Sequence, residues 1–483
     1  MSETLAESEL SFANDQGRSR SAARSTAAYA VAIVLLLLPA LWNGFPLMFD
    51  DVGGYLERWP SGSLSIGRST SYGLLLWATQ SASFFPILVL QALVTTFVVD
   101  CALKVWVVPA PPRWLLPAVI AAIAVASGAA MFVSKTIPDA WAAPAVLALH
   151  LLVWHTGSLA TWQRAALAAI IAFAGASHMA TFGVLAGLSV LTMIAWLVRR
   201  RLGLAQLRPG VAIVAVWSGL LLSLIGNGIV TGHPTLKMEG DIFLLGRMVE
   251  DGMAADILAE ECPRPDWQLC LYRDALPPYQ EAFIFYADSP LQKIGGAYDP
   301  RARKEIAAII ATSLKRHPLA HAARAIALTA TQFVDVGTDD TMAPLWEGHT
   351  RWILAQYTPA LVPSFDAARQ QTGTIDLSLW SNWIVVPLSL VASFALPVFA
   401  VLLWRRGRRR AAMLPALLFL ALLGNAAICG AVTRSSNRYQ ARLAWLAELA
   451  VGLSVQILAQ RNSITDRGVV VRPVALARGP SPL

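Results

Sequence analysis

Ten long apolar runs separated by short polar segments leave this chain little choice of fold. Counted along the sequence, the runs are 27–49, 84–106, 115–133, 140–155, 161–176, 180–198, 210–230, 379–404, 411–429 and 444–460. A helix needs roughly 17–25 residues to cross the hydrocarbon layer of a bilayer. The fourth and fifth runs are slightly short. Only 14% of the residues are charged, against about 25% in a soluble domain. We therefore expect an all-α polytopic membrane protein with about ten transmembrane helices.

The basic residues set the orientation, because cytoplasmic flanks of membrane helices are rich in Lys and Arg. If the N-terminus is inside, 19 of the 38 Lys and Arg lie in cytoplasmic segments and six in the short outer loops. This split predicts a multi-pass protein with ten membrane helices and both termini inside. The net charge of +8 lies mainly in these flanks, which argues against nucleic acid as a partner.

The predicted topology divides the chain into five parts: two cytoplasmic tails, two membrane modules and one large outer loop between the modules. The tails are 1–26 and 461–483. The modules are 27–230, with about seven helices, and 379–460, with about three. We interpret the first apolar run as a retained helix because no convincing cleavage site follows it. Residues 50–83 form the first outer loop.

Residues 231–378 form one large extracytoplasmic loop. Its segment 303–336 has helical apolar spacing interrupted at His317 and Pro318, which predicts two amphipathic helices. Cys262 and Cys270 lie in this polar loop near two prolines, without a histidine at zinc spacing. A local disulfide is therefore expected. Cys101 and Cys429 fall in apolar runs and are expected to be buried.

Carboxylates mark the predicted outer face. Asp50 and Asp51 directly follow the first run, where adjacent buried and unpaired carboxylates would be costly. They form either a solvated helix end or a catalytic base, with or without a divalent cation such as Mg or Mn. Asp139 ends the predicted second outer loop, 134–139. There it either caps the fourth predicted helix, 140–155, or takes part in a site. His178 lies in a two-helix turn, where a satisfied interfacial residue is commoner than a ligand.

Three arginines also lie on the outer side. Arg434, Arg438 and Arg442 recur every four residues and would share one face of a helix entering the membrane. Their place contradicts the positive-inside tendency, so they indicate an anionic partner such as a phosphate. Anchoring to lipid headgroups is the alternative. Arg68 in the first loop is a further candidate donor.

Common nucleotide and hydrolase motifs are missing from the sequence. There is no Walker loop, dinucleotide fingerprint, HExxH helix or GxSxG elbow. An enzyme on the outer face lacks access to cytoplasmic nucleotides and must draw an activated substrate from the membrane. Lipid-linked sugars are a common supply of that kind.

In layout the chain resembles the GT-C class of integral membrane glycosyltransferases, which use polyprenyl-phosphate sugars. The resemblance rests on four features: Asp50-Asp51 with Tyr55, Asp139, the Lys-Arg-His-Pro break at 315–318 of the large extracytoplasmic loop, and Asn437-Arg438-Tyr439. It departs from the class in having Asp-Asp where Asp-Glu is common.

The resemblance implies roles for these residues. Asp50 or Asp51 would be the base and, if a metal is used, its ligand, while Asp139 would assist. Arg438 would bind the carrier phosphate. The predicted substrate-binding set is completed by Tyr55, Arg68, His178, Arg434 and Tyr439. The donor would be a polyprenyl-phosphate-linked sugar drawn from among the membrane lipids, and the acceptor a glycan, lipid or protein of the cell envelope. The resemblance also implies a divergent bacterial member that lies in the cytoplasmic membrane.

Two functions of other classes stay open. A solute or lipid transporter would carry ionisable residues at mid-membrane and inverted repeats. Asp100 and Glu448 are the clearest mid-helix charges, but no repeat is visible. A non-catalytic membrane protein of envelope assembly would share the same sequence features.

Overall fold

The computed structural model describes residues 25–107, 111–204, 207–236, 239–338, 342–373 and 377–460. Within these ranges the chain is helical and has no strand, and a single parallel bridge joins Leu47 to Lys135. The all-α prediction is confirmed. Nearly all of the predicted tails, 1–24 and 461–483, lies outside the described residues, and the first helix begins at Ser25, two residues earlier than expected.

The N-terminal membrane module contains twelve α-helices in its described part. They are α1 Ser25–Asn43, α2 Asp51–Leu56, α3 Arg58–Ser61, α4 Thr70–Thr79, α5 Phe85–Trp106, α6 Leu115–Ala126, α7 Ala129–Val133, α8 Ala142–Trp154, α9 Thr161–Ser177, α10 Met179–Leu197, α11 Arg199–Leu202 and α12 Gly210–Thr231.

Eleven further helices occupy the described part of the long loop and the C-terminal module. The loop contains α13 Gly240–Glu250, α14 Met253–Glu261, α15 Gln280–Phe285, α16 Pro290–Lys293, α17 Pro300–Arg316, α18 Pro318–Val334, α19 His349–Tyr357 and α20 Val362–Asp366. The module contains α21 Leu377–Arg405, α22 Arg409–Val432 and α23 Asn437–Ala459.

Seven of the described helices are long and apolar enough to cross a membrane: α1, α5, α10, α12, α21, α22 and α23. The chain is therefore a multi-pass helical membrane protein. The other three predicted spans are shorter. The third run is split at Ser127 and Gly128 into α6 and α7, α8 has 13 residues after a 3₁₀ turn, and α9 has 17. For these three, spanning stays a prediction.

The interior of the bundle is built around α8. Every residue of α8 is buried, and the helix packs against α5, α9, α22 and α23. A helix that is apolar on all sides must be covered on all sides. This arrangement brings the first residues of α23 close to the turn that precedes α8.

The long loop has a hydrophobic core of its own. Side chains of α13, α14 and α17 meet around Leu245, Ile257 and Ile306, all fully buried. The predicted disulfide between Cys262 and Cys270 is present, with the two Cα atoms 5.7 Å apart. Pro318 begins α18 directly after α17 ends, where the sequence predicts the break.

The end of the long loop folds back onto the start of the first loop. The Gln370 side chain accepts a hydrogen bond from Met48 N at 3.0 Å and donates one to Met48 O at 2.7 Å. Thr350 Oγ1 accepts a hydrogen bond from Gly53 N at 2.8 Å. These contacts, made across more than 290 residues of sequence, fix the direction of α2 and therefore of Asp51.

Candidate functional site

A cavity of about 490 Å³ lies where the membrane helices meet the loop segments. It is bounded by α2, the ends of α10 and α22, the start of α23, and α13 of the long loop. Six of the nine predicted site residues line it: Asp51, Tyr55, Arg68, His178, Arg438 and Tyr439. Segments separated by almost 400 residues thus converge on one volume.

Asp51 lies between two arginines. Arg438 Nη2 is 2.9 Å from Asp51 Oδ2, and Arg68 Nη2 pairs with Asp51 Oδ1. Burial acts to raise the pKa of Asp51, but the charges of Arg68 and Arg438 outweigh it and hold that pKa below the usual value. The carboxylate is therefore ionised at neutral pH.

The position of Arg68 depends on two glycines. A Cβ on Gly54 would lie 2.9 Å from Arg68 Cγ, and a Cβ on Gly73 would lie 2.3 Å from the carbonyl oxygen of Tyr55. Both distances are too short for a side chain. The two glycines therefore let α4 and the Arg68 side chain pack directly against α2.

Arg438 retains hydrogen-bonding capacity. Its Nη2 donates to the Tyr439 hydroxyl at 3.2 Å, and its guanidinium lies over the Phe49 ring, 4.2 Å from the ring centre. Its Nη1 is buried and makes no hydrogen bond within the described part of the chain. Buried donors are rarely left unsatisfied, so this nitrogen is a candidate hydrogen-bond donor to a ligand.

A second layer of polar groups lies behind the cavity wall. Arg442, fully buried, contacts Asp139 Oδ1 through Nη1 at 2.9 Å and Asn425 Oδ1 through Nη2 at 2.8 Å. Asp139 lies inside a 3₁₀ turn, Pro138–Trp141, and does not cap α8. The capping interpretation is wrong because Arg442 holds this carboxylate.

His178 joins the two layers. Its Nδ1 lies 3.1 Å from Arg442 Nη1 and 3.4 Å from Thr181 N. With Nδ1 accepting, the ring proton belongs on Nε2. Burial, with help from the Arg442 charge, lowers the pKa of His178 to about 3. His178 is therefore a neutral residue in the cavity wall and not a surface residue of the turn.

Two predicted residues besides Asp139 lie outside the cavity. Asp50 accepts a hydrogen bond from Thr350 N at 3.2 Å, at the start of α19. Arg434 is half exposed and pairs with Glu281 at 3.3 Å and Glu250 at 3.8 Å, both in the long loop. The structure thus separates Asp50 from Asp51 and Arg434 from Arg438, although each pair is close in sequence.

The long loop contributes a polar wall that sequence reasoning missed. Glu239, Asp241 and Arg303 line the cavity, with Arg303 Nη2 3.1 Å from Asp241 Oδ2. Glu239 accepts hydrogen bonds from Gly67 N and from the Tyr298 hydroxyl. The sequence contained one indication, since Glu239 and Asp241 come within about ten residues after α12 ends at Thr231.

The remaining walls are apolar. Phe243 of α13, Ile428 and Val432 of α22, and Met179 and Ala180 of α10 form the apolar side of the lining. The cavity is therefore amphipathic, with a charged part in which the arginines are paired with acids and an apolar side between α10 and α22. Such a shape suits a molecule with a polar head and a hydrocarbon chain.

The described residues contain no group of three or more His, Cys, Asp and Glu side chains that could hold a metal ion. The predicted pair Asp50 and Asp51 does not form a joint ligand set, because Asp50 binds the start of α19 and both oxygens of Asp51 contact arginines.

Comparison with known proteins identifies no relative. Neither a family description, nor a curated protein, nor a solved structure matches the chain.

Proposed function

We propose that this protein is a GT-C-like glycosyltransferase that moves a sugar from a polyprenyl-phosphate carrier to a cell-envelope acceptor on the outer face of the cytoplasmic membrane. One observation carries the proposal. A carboxylate, Asp51, and two arginines, one with a free buried donor, share an amphipathic cavity at the boundary of the membrane helices.

The arginines bind the carrier phosphate. Arg438 offers its free Nη1 and, like Arg68, can exchange its contact with Asp51 for a phosphate oxygen. The guanidinium geometry matches two phosphate oxygens at once. Donor binding thus weakens the ion pairs on Asp51 and raises its proton affinity when a base is needed.

The transfer step needs one base and one stabilised leaving group. The acceptor hydroxyl oxygen forms a bond to the anomeric carbon while the bond from that carbon to the phosphate oxygen breaks. Asp51 takes the proton of the hydroxyl, and the phosphate keeps the electron pair of the broken bond, with its charge balanced by Arg438 and Arg68. Attack opposite the leaving group inverts the anomeric centre.

The apolar wall and the acidic loop wall of the cavity suit the other two parts of the donor, its polyprenyl chain and its sugar. The apolar side between Met179 and Ala180 of α10 and Ile428 and Val432 of α22 suits the polyprenyl chain, which would arrive laterally from the bilayer. Glu239 and Asp241 offer acceptors for sugar hydroxyls on the loop side. Asp139 supports the site through Arg442 and makes no contact with the donor.

The proposal is tested with purified protein in lipid nanodiscs. Synthetic polyprenyl-phosphate hexoses and pentoses are supplied with a crude envelope-glycan acceptor, and released polyprenyl phosphate is measured by mass spectrometry. We expect release from at least one donor, saturable in that donor and slower by about 10²–10⁴ with the Asp51→Asn variant. Wild-type release that the variant fully retains would contradict the proposal, as would release from none of the donors.

A further inference from the structure

A second cavity, of about 310 Å³, lies among the membrane helices and shares no residue with the first. It is a groove between one face of α6 and one face of α23, closed at one side by Leu103 of α5. Its lining on α6 is Leu115, Val119, Ala122, Ile123 and Ala126, and on α23 it is Glu448, Leu449, Gly452, Leu453 and Gln456.

The groove is elongated and apolar along most of its length. On α23 its lining spans nine residues, from Glu448 to Gln456, which rise by about 12 Å along the helix. Gly452 leaves the middle open, since a Cβ built there meets no atom within 4 Å. The Gly452 backbone is exposed on the outside of the described structure, so the groove is reached from the bilayer.

Among the described residues that line the groove, Glu448 is the only ionisable one. Ser389 of α21 donates to Glu448 Oε1 at 2.9 Å, whereas Oε2 is buried and makes no hydrogen bond within the described residues. An ionised carboxylate without a cation partner is very costly at this depth. The group is therefore a neutral carboxylic acid, which has both a donor and an acceptor to satisfy.

We propose that the groove binds a long-chain alcohol of the bilayer, with its hydroxyl on Glu448 and its hydrocarbon chain along α6 and α23. A hydroxyl both donates and accepts, so one such group satisfies the carboxyl completely. An ammonium head would place two charges in the hydrocarbon layer, and an ordinary acyl chain would leave Oε2 unsatisfied. This site is independent of the proposed glycosyl transfer.

The test uses two photoreactive probes on the full-length protein in nanodiscs. One is a decanol carrying a diazirine, and the other is its methyl ether, which has the same chain but no O–H. Crosslinked peptides are identified by mass spectrometry. We expect the alcohol to label peptides of α6 and α23 in a manner that excess decanol displaces. The ether should label them roughly three- to tenfold less, the range expected for one hydrogen bond.

Three variants and one control sharpen the result. Gly452→Leu fills the groove and should abolish specific labelling, and Glu448→Leu should reduce alcohol labelling. Because the ether oxygen can still accept from the carboxyl whereas Leu offers no partner, the Glu448→Leu labelling should lie at or below the ether level. Glu448→Gln keeps both a donor and an acceptor and should keep the labelling. Gly187→Leu is the matched control, because Gly187 on α10 is also open but lies outside the groove.

Four outcomes would overturn the proposal. Equal labelling by alcohol and ether, or labelling that excess decanol does not displace, would show ordinary lipid contact only. Labelling of Gly452→Leu at the wild-type level would place the probe elsewhere. Loss of labelling in Glu448→Gln would show that a charged carboxylate is required and that the ligand is not a neutral alcohol.

Discussion

At the scale of single residues, Asp51 and Asp50 can be compared directly because they have the same side chain in different surroundings. They are adjacent, yet only Asp51 lies in the cavity between two arginines, while Asp50 binds the start of α19. Asp51→Asn keeps the shape and removes the base, so donor turnover should fall by about 10²–10⁴. Asp50→Asn keeps the acceptor oxygen for Thr350 and should stay within about twofold of wild type. Initial rates at equal expression check this, and equal losses in both variants would remove Asp51 from the mechanism.

Arg438 and Arg434 give the matching pair for donor binding. Arg438→Lys keeps the charge but loses the planar guanidinium group, which can donate to two phosphate oxygens at once. The affinity for polyprenyl phosphate should therefore fall by about tenfold or more. Arg434→Lys is the control, since Arg434 is half exposed and paired with Glu281 and Glu250, and it should bind normally. Titration of the lipid monitored by native mass spectrometry gives both affinities. Unchanged binding by Arg438→Lys would place the phosphate elsewhere.

The sequence predicts the residue types of the site better than their roles. Asp51, Arg68, Arg438 and Tyr439 are recognisable because polar groups at a membrane boundary are costly. The choice between Asp50 and Asp51 is not visible, because it depends on Thr350, 300 residues away. Likewise, Arg442 belongs to the same four-residue series as Arg438, but only the packing of α23 on α8 shows that it is buried against Asp139.

At the scale of elements, the Arg442–Asp139 pair ties α23 to the turn before α8. Both side chains are almost completely buried, so Arg442→Met leaves an uncompensated carboxylate and should destabilise the protein by about 3–5 kcal/mol. The double variant Arg442→Met with Asp139→Leu removes both charges and should recover most of that loss.

Thermal stability of the detergent-solubilised protein, followed by size-exclusion chromatography, measures both effects. Arg434→Met is the control, because loss of an exposed pair should cost less than about 1 kcal/mol. A double variant no more stable than Arg442→Met would show that packing, and not the lone charge, dominates.

Helix lengths explain which elements the sequence predicts well. The seven long helices follow from apolar runs alone. The short elements do not, because α8 is covered by protein on all sides and its length is set by its neighbours and not by the bilayer. The split between α6 and α7 at Ser127 and Gly128 cannot be predicted either, because the apolar pattern of the sequence continues across it.

At the scale of the whole molecule, the orientation can be tested directly. Reporter fusions after Arg201, Gln370 and Arg410 should read inside, outside and inside, because basic residues cluster at 199–201 and 405–410. Both basic segments lie at helix ends in the structure. An outside signal at Arg410 would contradict the orientation and would place the cavity on the cytoplasmic face.

The central claim is that a polyprenyl phosphate binds the amphipathic cavity by its head. The most direct measurement is an electron cryomicroscopy map of the protein in nanodiscs containing that lipid. The account predicts phosphate density within hydrogen-bonding distance of the Arg438 and Arg68 guanidinium groups, beside Asp51, with the chain leaving between α10 and α22. Phosphate density at another site, with Arg68 and Arg438 still paired to Asp51, would contradict it.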